Sequence, residues 1–420
     1  MVIFVVLISL VCLFGFFNEK VSKFTHEIAL MLFSAVAGIF LLVTVTFTRG
    51  TSVGDVLEKA NFLNIEGFLV DGVLSFMLFA GACHMKLSDF RKFSRQVSVL
   101  AFVCTLLGAA FYGLLFYGAG LLLGLPVSLP VCLMFGSIVA PTDPIAATSI
   151  LGKFGLPKNI SFLIQGESLF NDGVGVALFV CFSGLVTATS SAGFVSVMLQ
   201  EIFGAVAVGV AVTAVCFLMY RYTKNAALGI FVSLMNVSLA YVICEWLGFS
   251  GAIASVVCGI LFSTLRSRCC AQDIPEKAQL FDSFWETIDM LLNSLLYVML
   301  GLTFVHILQM EHVILVSLVA IVINLIARFG SLSVSSLMIG KIPDGYNKLN
   351  FIKLLTWGGL RGGLSVALAL STKGMVPENI YYVILGGTYA IVFFTTVIQG
   401  MTMRPVYQRI SRSVLKKNQT

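Results

Sequence analysis

Residues 129–151 read LPVCLMFGSIVAPTDPIAATSIL, a stretch apolar and long enough to cross a bilayer but for the APTDP at 140–144. Pro144 cannot donate a hydrogen bond to the carbonyl of Ala140, nor Pro141 to that of Ser137, so a membrane helix here must open near its middle. Asp143 then reads as the N-cap of a second half-helix whose first residue is Pro144. A half-helix that starts at mid-depth presents freed carbonyls and a polar end. Membranes tolerate these only beside protein or a water-filled cavity, and such interruptions mark the binding sites of membrane transporters.

The rest of the chain supports a membrane reading. Of its 420 residues 58% are hydrophobic and only 11% charged, and the mean hydropathy is +1.00; long apolar runs at that density define an all-α polytopic membrane protein. The net charge of +6 is no nucleic-acid footprint, because the basic residues fall in short loops. Most of the ten cysteines lie within apolar segments, and Cys269 and Cys270 fall in a basic loop placed in the reducing cytosol, so no disulfide framework is expected. The opening MVIFVVLISLVCLFGFF has no positive n-region and reads as a span rather than a cleaved signal. His26, His84, His306 and His312 are scattered near span ends, and no HExxH, CxxC pair or GxSxG occurs, so neither a resident metal nor a cofactor is expected.

Apolar runs separated by Gly, Pro, Asn and charge predict thirteen spans: 1–17, 27–47, 67–86, 97–123, 129–151, 161–187, 194–220, 226–246, 251–265, 279–303, 312–338, 350–372 and 380–403. The odd-numbered loops and the tail from Arg404 hold nearly all of the 26 Lys and Arg, while the even-numbered loops hold Arg49, Lys59 and Lys373. That asymmetry predicts an N-terminus outside and a C-terminus in the cytoplasm of a cell (inner or plasma) membrane. The longest loop, 48–66, and the tail leave no room for a soluble domain.

An ionisable side chain deep in a span costs roughly 2.5–3.5 kcal/mol, so each needs a partner or a task. The deep ones are Asp143, Glu167, Asp172, Arg328 and Arg361; Asp71, Glu201, Glu245, Asp282, Glu286 and Asp289 read as interfacial carboxylates near span ends. The twelfth span carries a second interruption, WGGLRGGL at 357–364. It lies seven spans after the first, so the two helices run in opposite directions, as an inverted repeat of spans 1–6 and 8–13 requires. In the sixth span, QGESLFNDGVGVALF (165–179), Glu167 stacks on Asn171 and Ser168 on Asp172 at i,i+4 spacing. One face offers a hydroxyl and a carboxylate, hard oxygen ligands suited to an alkali cation. The adjacent face offers a carboxylate and an amide that an arginine could tie off.

APTDP at 140–144, ESLFND at 167–172, LIAR at 325–328 and WGGLRGG at 357–363, in that order, resemble the sodium/proton antiporters of the NhaP and NHE type. The resemblance implies an NhaA-like antiporter fold of two inverted six-helix repeats with crossed, unwound helices. It implies a core (transport) part, 97–187 and 312–404, and a dimerisation part, 1–86 and 226–303, joined by a linking helix, 194–220, in a homodimer. It further implies that Asp172 binds Na⁺ or Li⁺ and H⁺ in turn, with Thr142, Asp143 and Ser168 as direct or water-mediated ligands. Glu167 would pair with Arg328 and be held by Asn171, while Arg361 would support the unwound part of the twelfth span. Electrogenic relatives carry an aspartate where this chain has Asn171 and a lysine where it has Arg328, so the resemblance is to the electroneutral branch.

Charge gives the same answer. Asp143, Glu167 and Asp172 against Arg328 and Arg361 sum to −1, which one Na⁺ or one H⁺ neutralises, so one-for-one exchange is expected. The alternatives are K⁺/H⁺ exchange, because oxygen ligands accept either ion, and an intramembrane aspartyl protease using Asp143 and Asp172, for which an arginine-buffered site makes little chemical sense.

Overall fold

The computed structural model describes residues 2–22, 24–47, 73–83, 85, 87–143, 148, 151–152, 154–187, 194–269, 275–304 and 313–418. Among them the secondary structure is helical, apart from one isolated bridge between Lys373 and Val376. The chain opens with α1 (Val2–Phe17) and α2 (His26–Phe47), then α3 (Leu74–Cys83). Next, α4 (Leu87–Ser98) runs through a π-helical segment, Val99–Cys104, into α5 (Thr105–Leu123). The interrupted α6 (Leu129–Val139) precedes the long α7 (Lys158–Val186) and α8 (Phe194–Tyr222). There follow α9 (Ala226–Leu247), α10 (Gly251–Cys269), α11 (Pro275–Phe304) and α12 (Val313–Ile339). The second interrupted helix comprises α13 (Lys348–Trp357) and α14 (Gly363–Ser371). Finally α15 (Glu378–Phe393) passes through a π-helical segment, Phe394–Gln399, into α16 (Gly400–Asn418).

Eight helices among the described residues are long and apolar enough to cross a membrane. The exceptions near the two sequence breaks are informative. With 11 residues α6 is about 16 Å long, roughly half the hydrocarbon core, and α13 and α14, with 10 and 9, are no longer. Each is half of a membrane helix, stopped in the first case by Pro141 and in the second by glycine. The short α13 begins on a real cap, the Asn347 side chain accepting from the Asn350 N–H at 2.7 Å.

The half-helices sit in the middle of the bundle. α6 packs between α5 and α7, and α12 packs between α5 and α15. α11 lies along α2 and touches α3, while α8, α9 and α10 pack on one another. The largest apolar cluster draws Phe135 from α6, Leu178 from α7, Leu296 from α11, Val366 from α14 and Ile384 from α15 around the breaks.

Two sequence expectations shift. The tenth span was expected at 279–303, but α11 starts at Pro275 and has 30 residues, about 45 Å. Its first turns are too polar to register as apolar, and Asp289, read as interfacial, lies midway along the helix. The third span, expected over 67–86, is described only as α3 with Val73 and Met85, so Asp71 lies outside the described residues, as does Pro144.

Close approach between α7 and the first break depends on Gly175, because a Cβ there would run into the Pro141 ring. Gly175→Val should therefore destabilise the protein by about 1–3 kcal/mol, read as a lower thermal unfolding midpoint in detergent. Gly118→Ala, where a Cβ meets nothing within 4 Å, should not lower it.

Candidate functional site

The site starts from a backbone problem. Helical residues of α6 end at Val139, and Ala140 to Asp143 follow without regular structure. Freed carbonyls inside a bilayer cost several kcal/mol each unless satisfied. Arg361, in the unwound residues between α13 and α14, meets that need: its Nη1 donates to the carbonyls of Ala140 at 2.6 Å and Pro141 at 2.8 Å. Its Nη2 donates to Asn324 Oδ1 on α12 at 3.1 Å, and its own backbone N–H donates to Thr395 Oγ1 at 3.0 Å. The two breaks also join directly, the Asp143 N–H donating to the Leu360 carbonyl at 2.8 Å. Gly362 allows this, since a Cβ at that position would lie 3.0 Å from Asp143 Oδ2.

α7 faces this junction with the two stripes that its sequence spacing predicts. Glu167, 1% exposed, forms an ion pair with Arg328 Nη1 on α12 at 2.6 Å. The buried Asn171 does something other than hold that pair. Its Nδ2 donates to Thr142 Oγ1 at 2.8 Å, and its Oδ1 accepts from the Thr142 N–H at 3.3 Å. The physical reason is the break: unwinding leaves the Thr142 N–H without a helical acceptor, whereas Glu167 already has its arginine. Thr142 Oγ1 and Ser168 Oγ lie 3.0 Å apart, within hydrogen-bond distance with either hydroxyl able to donate.

Asp172 and Asp143 are only partly buried, and what they face is a cavity of about 410 Å³ whose wall includes Pro141, Thr142, Ser168 and Gly362. From Asp172 the cavity runs past Ser168 and Gln165 to Ser161, successive turns towards the N-terminal end of α7 covering about 16 Å. Among the described residues no arginine or lysine forms an ion pair with Asp172. The Asp172 carboxylate and the Thr142 and Ser168 hydroxyls on one cavity wall are hard oxygen donors of the kind an alkali cation takes.

Of the residues expected at the site, Thr142, Asp143, Ser168 and Asp172 are brought onto one cavity, and Glu167, Asn171, Arg328, Arg361 and Pro141 surround it. Four contributors were not foreseen, the first being Asn324, which accepts from Arg361. Tyr297 on α11 donates its hydroxyl to Asp143 Oδ2 at 2.6 Å. Asp289, two turns earlier on that helix, lines the same cavity. Thr395 comes from the π-helical segment after α15. The 289/293/297 spacing was a usable signal for a polar face on α11; nothing in the sequence signals Thr395, because a π-segment leaves no period of its own.

Two interrupted helices, joined at their breaks beside an ionisable cavity inside a bundle of apolar helices, make this a multi-pass membrane protein built around broken helices. The sodium/hydrogen exchanger transmembrane family model matches residues 60–409, and the chain belongs to that family. It is 32% identical over 372 residues to the Na⁺/H⁺ antiporter NhaP of Pseudomonas aeruginosa, covering 85% of this chain and 83% of that one. It is 29% identical over 411 residues to the Na⁺/H⁺ antiporter NhaH of Halobacillus aidingensis, covering 93% of each. Its fold matches that of the sodium proton antiporter MjNhaP1 from Methanocaldococcus jannaschii at pH 8, with a TM-score of 0.74 at 21% identity over 94% of this chain and 97% of that one.

Removing one partner of the buried Glu167–Arg328 pair leaves a stranded charge. Arg328→Ala should cost about 3–5 kcal/mol, whereas the double substitution Glu167→Gln with Arg328→Met should retain most of the stability. Thermal unfolding of the purified proteins makes the comparison.

Proposed function

We propose that this protein is an electroneutral antiporter exchanging one Na⁺ or Li⁺ for one H⁺ at Asp172 by alternating access. The observation that carries the reading is Asp172 on a cavity wall beside the hydroxyls of Thr142 and Ser168, next to two joined helix breaks, in a chain of the sodium/hydrogen exchanger family. A carboxylate held in a poorly solvating place is neutralised by a proton or by a cation, so the two compete for one group. Asp143, Thr142 and Ser168 complete the cation's shell, directly or through water. Glu167 and Arg328 cancel each other, and arginine suits that task because it stays charged and carries no proton across. Asn171 fastens Thr142 without adding a second titrating group.

The five charges of the core sum to −1, so the loaded site crosses as a neutral unit with either ion and the empty site crosses with difficulty. The core comprises residues 97–187 and 312–404, which hold the π-helical segment before α5, α5 to α7, α12 to α15 and the start of α16. It shifts as a body against the helices through which two copies associate, α1 to α3 and α9 to α11, with α8 linking the parts. In this arrangement thirteen spans form two inverted repeats of six, α6 and the α13–α14 pair are the crossed broken helices, and the N-terminus lies outside. The basic loops then put the N-terminal end of α7, and with it the Ser161 end of the cavity, on the cytoplasmic side.

In acid-loaded everted vesicles, added Na⁺ or Li⁺ should raise luminal pH, and Asp172→Asn should abolish the response while still inserting at normal levels. Sodium-dependent proton flux surviving in that variant would remove Asp172 from the account; a response to K⁺ exceeding that to Na⁺ would make the protein a K⁺/H⁺ exchanger. In proteoliposomes the exchange rate should be indifferent to an imposed membrane potential, and exchange driven by potential alone would contradict the charge sum.

A further inference from the structure

The cavity has a carboxylate that the five-charge account does not use. Asp289 projects into it from α11, the wall facing Asp172 rather than the wall that carries it. Its surroundings belong to one helix face: Asn293 a turn later, and Leu296 and Tyr297 a turn after that. Asn293 Nδ2 donates to Asp289 Oδ1 at 3.0 Å and to the Asp289 carbonyl at 2.8 Å. Although Asn293 is only 4% exposed, its Oδ1 has no hydrogen-bond partner among the described residues. That oxygen is not on the cavity wall, since Asn293 does not line the cavity; the oxygen donor that α11 offers to an ion there is the Asp289 carboxylate, fixed by the Asn293 Nδ2. Two turns deeper, the same face ends on the Tyr297 hydroxyl that holds Asp143.

Counting Asp289, the groups on and behind the cavity are four carboxylates, Asp143, Glu167, Asp172 and Asp289, against two guanidiniums, Arg328 and Arg361. If all of them moved together, one cation would leave a residual charge to be dragged through the bilayer. A carboxylate at Asp289 adds nothing to the charge carried if it stays behind on α11 while the core moves.

We infer that Asp289, held in place by the Asn293 side-chain amide, is a second, stationary site for a monovalent cation, which holds the incoming ion on the cavity wall before it passes to Asp172. The inference rests on the antiport reading and adds to it where the ion first binds. A fixed negative charge on the wall of a narrow cavity raises the local concentration of cations, an effect that weakens with ionic strength. Asp289 therefore sets the apparent affinity for the cation and leaves the number of charges carried per cycle alone.

The test is Na⁺-concentration dependence of exchange in proteoliposomes for the wild type, Asp289→Asn and Asp289→Glu, at low and high choline chloride. Asp282→Asn, an exposed acid on the same helix paired with Arg266, is the control. Asp289→Asn should raise the Na⁺ KM several-fold at low salt with maximal velocity retained, the gap to wild type should narrow at high salt, and Asp289→Glu should restore most of the affinity. An unchanged KM, or a fall in maximal velocity alone, would overturn the inference. So would a new sensitivity to membrane potential in Asp289→Asn, which would mean that the residue moves with the ion. If the wild type itself exchanges nothing, the antiport reading fails instead, and the two failures are distinct.

Discussion

The hydrogen bonds from the Arg361 guanidinium to the Ala140 and Pro141 carbonyls are what allow an opened helix to exist here. Backbone groups without partners inside a bilayer cost several kcal/mol apiece, and water is the only other supplier of donors. A charged donor on one break, fixed by Asn324 and Thr395, therefore lets the other break persist without flooding the bundle. The Asp143–Leu360 backbone bond adds a second stitch. Once the junction is held, Thr142 presents its hydroxyl and Asp143 its carboxylate beside α7, and the remaining site geometry follows.

The charged groups divide into fixed and variable ones. Glu167 and Arg328 are mutually neutralised and deeply buried, and the pair ties α7 to α12. Arg361 is committed to carbonyls and the Asn324 amide. Asp172 differs in lying on the cavity wall, and in the proposed exchange it alone changes occupancy. Its Ser168 neighbour and Thr142 are linked to each other and, through Asn171, to the backbone of the break. In the proposed exchange, an ion at Asp172 would touch groups whose positions are set by the unwound segment, and its occupancy would be coupled to the helices proposed to move.

Much of this was legible in the sequence because broken membrane helices need residues that are otherwise excluded from membranes. Pro141 and Pro144 with Asp143, and Arg361 among glycines, can be read without a structure, and the Glu167/Asn171 and Ser168/Asp172 stripes follow from helical period alone. That Glu167 needs an arginine was legible through the cost of isolated charge, and the family resemblance pointed to Arg328, which is where the pair forms. What was not legible depends on where tertiary neighbours fall. Asn171 was expected at the ion pair and instead bonds Thr142, because the demand for an acceptor there arises only once α6 unwinds against α7. Asp289 read as interfacial because Asp282 and Glu286 precede it at turn spacing and make the first half of α11 look like a water-facing end. Tyr297 was one tyrosine among 11 until α11 was placed against Asp143.

Calorimetric titration of Na⁺ into the purified protein over a range of pH tests the central claim most directly, because it reads the competition without transport. If one carboxylate at position 172 takes either ion, binding should release one proton per Na⁺, and the apparent Kd should weaken about tenfold per pH unit once the site is protonated. Na⁺ binding that is independent of pH, or that persists unchanged when Asp172 is replaced by Asn, would contradict it.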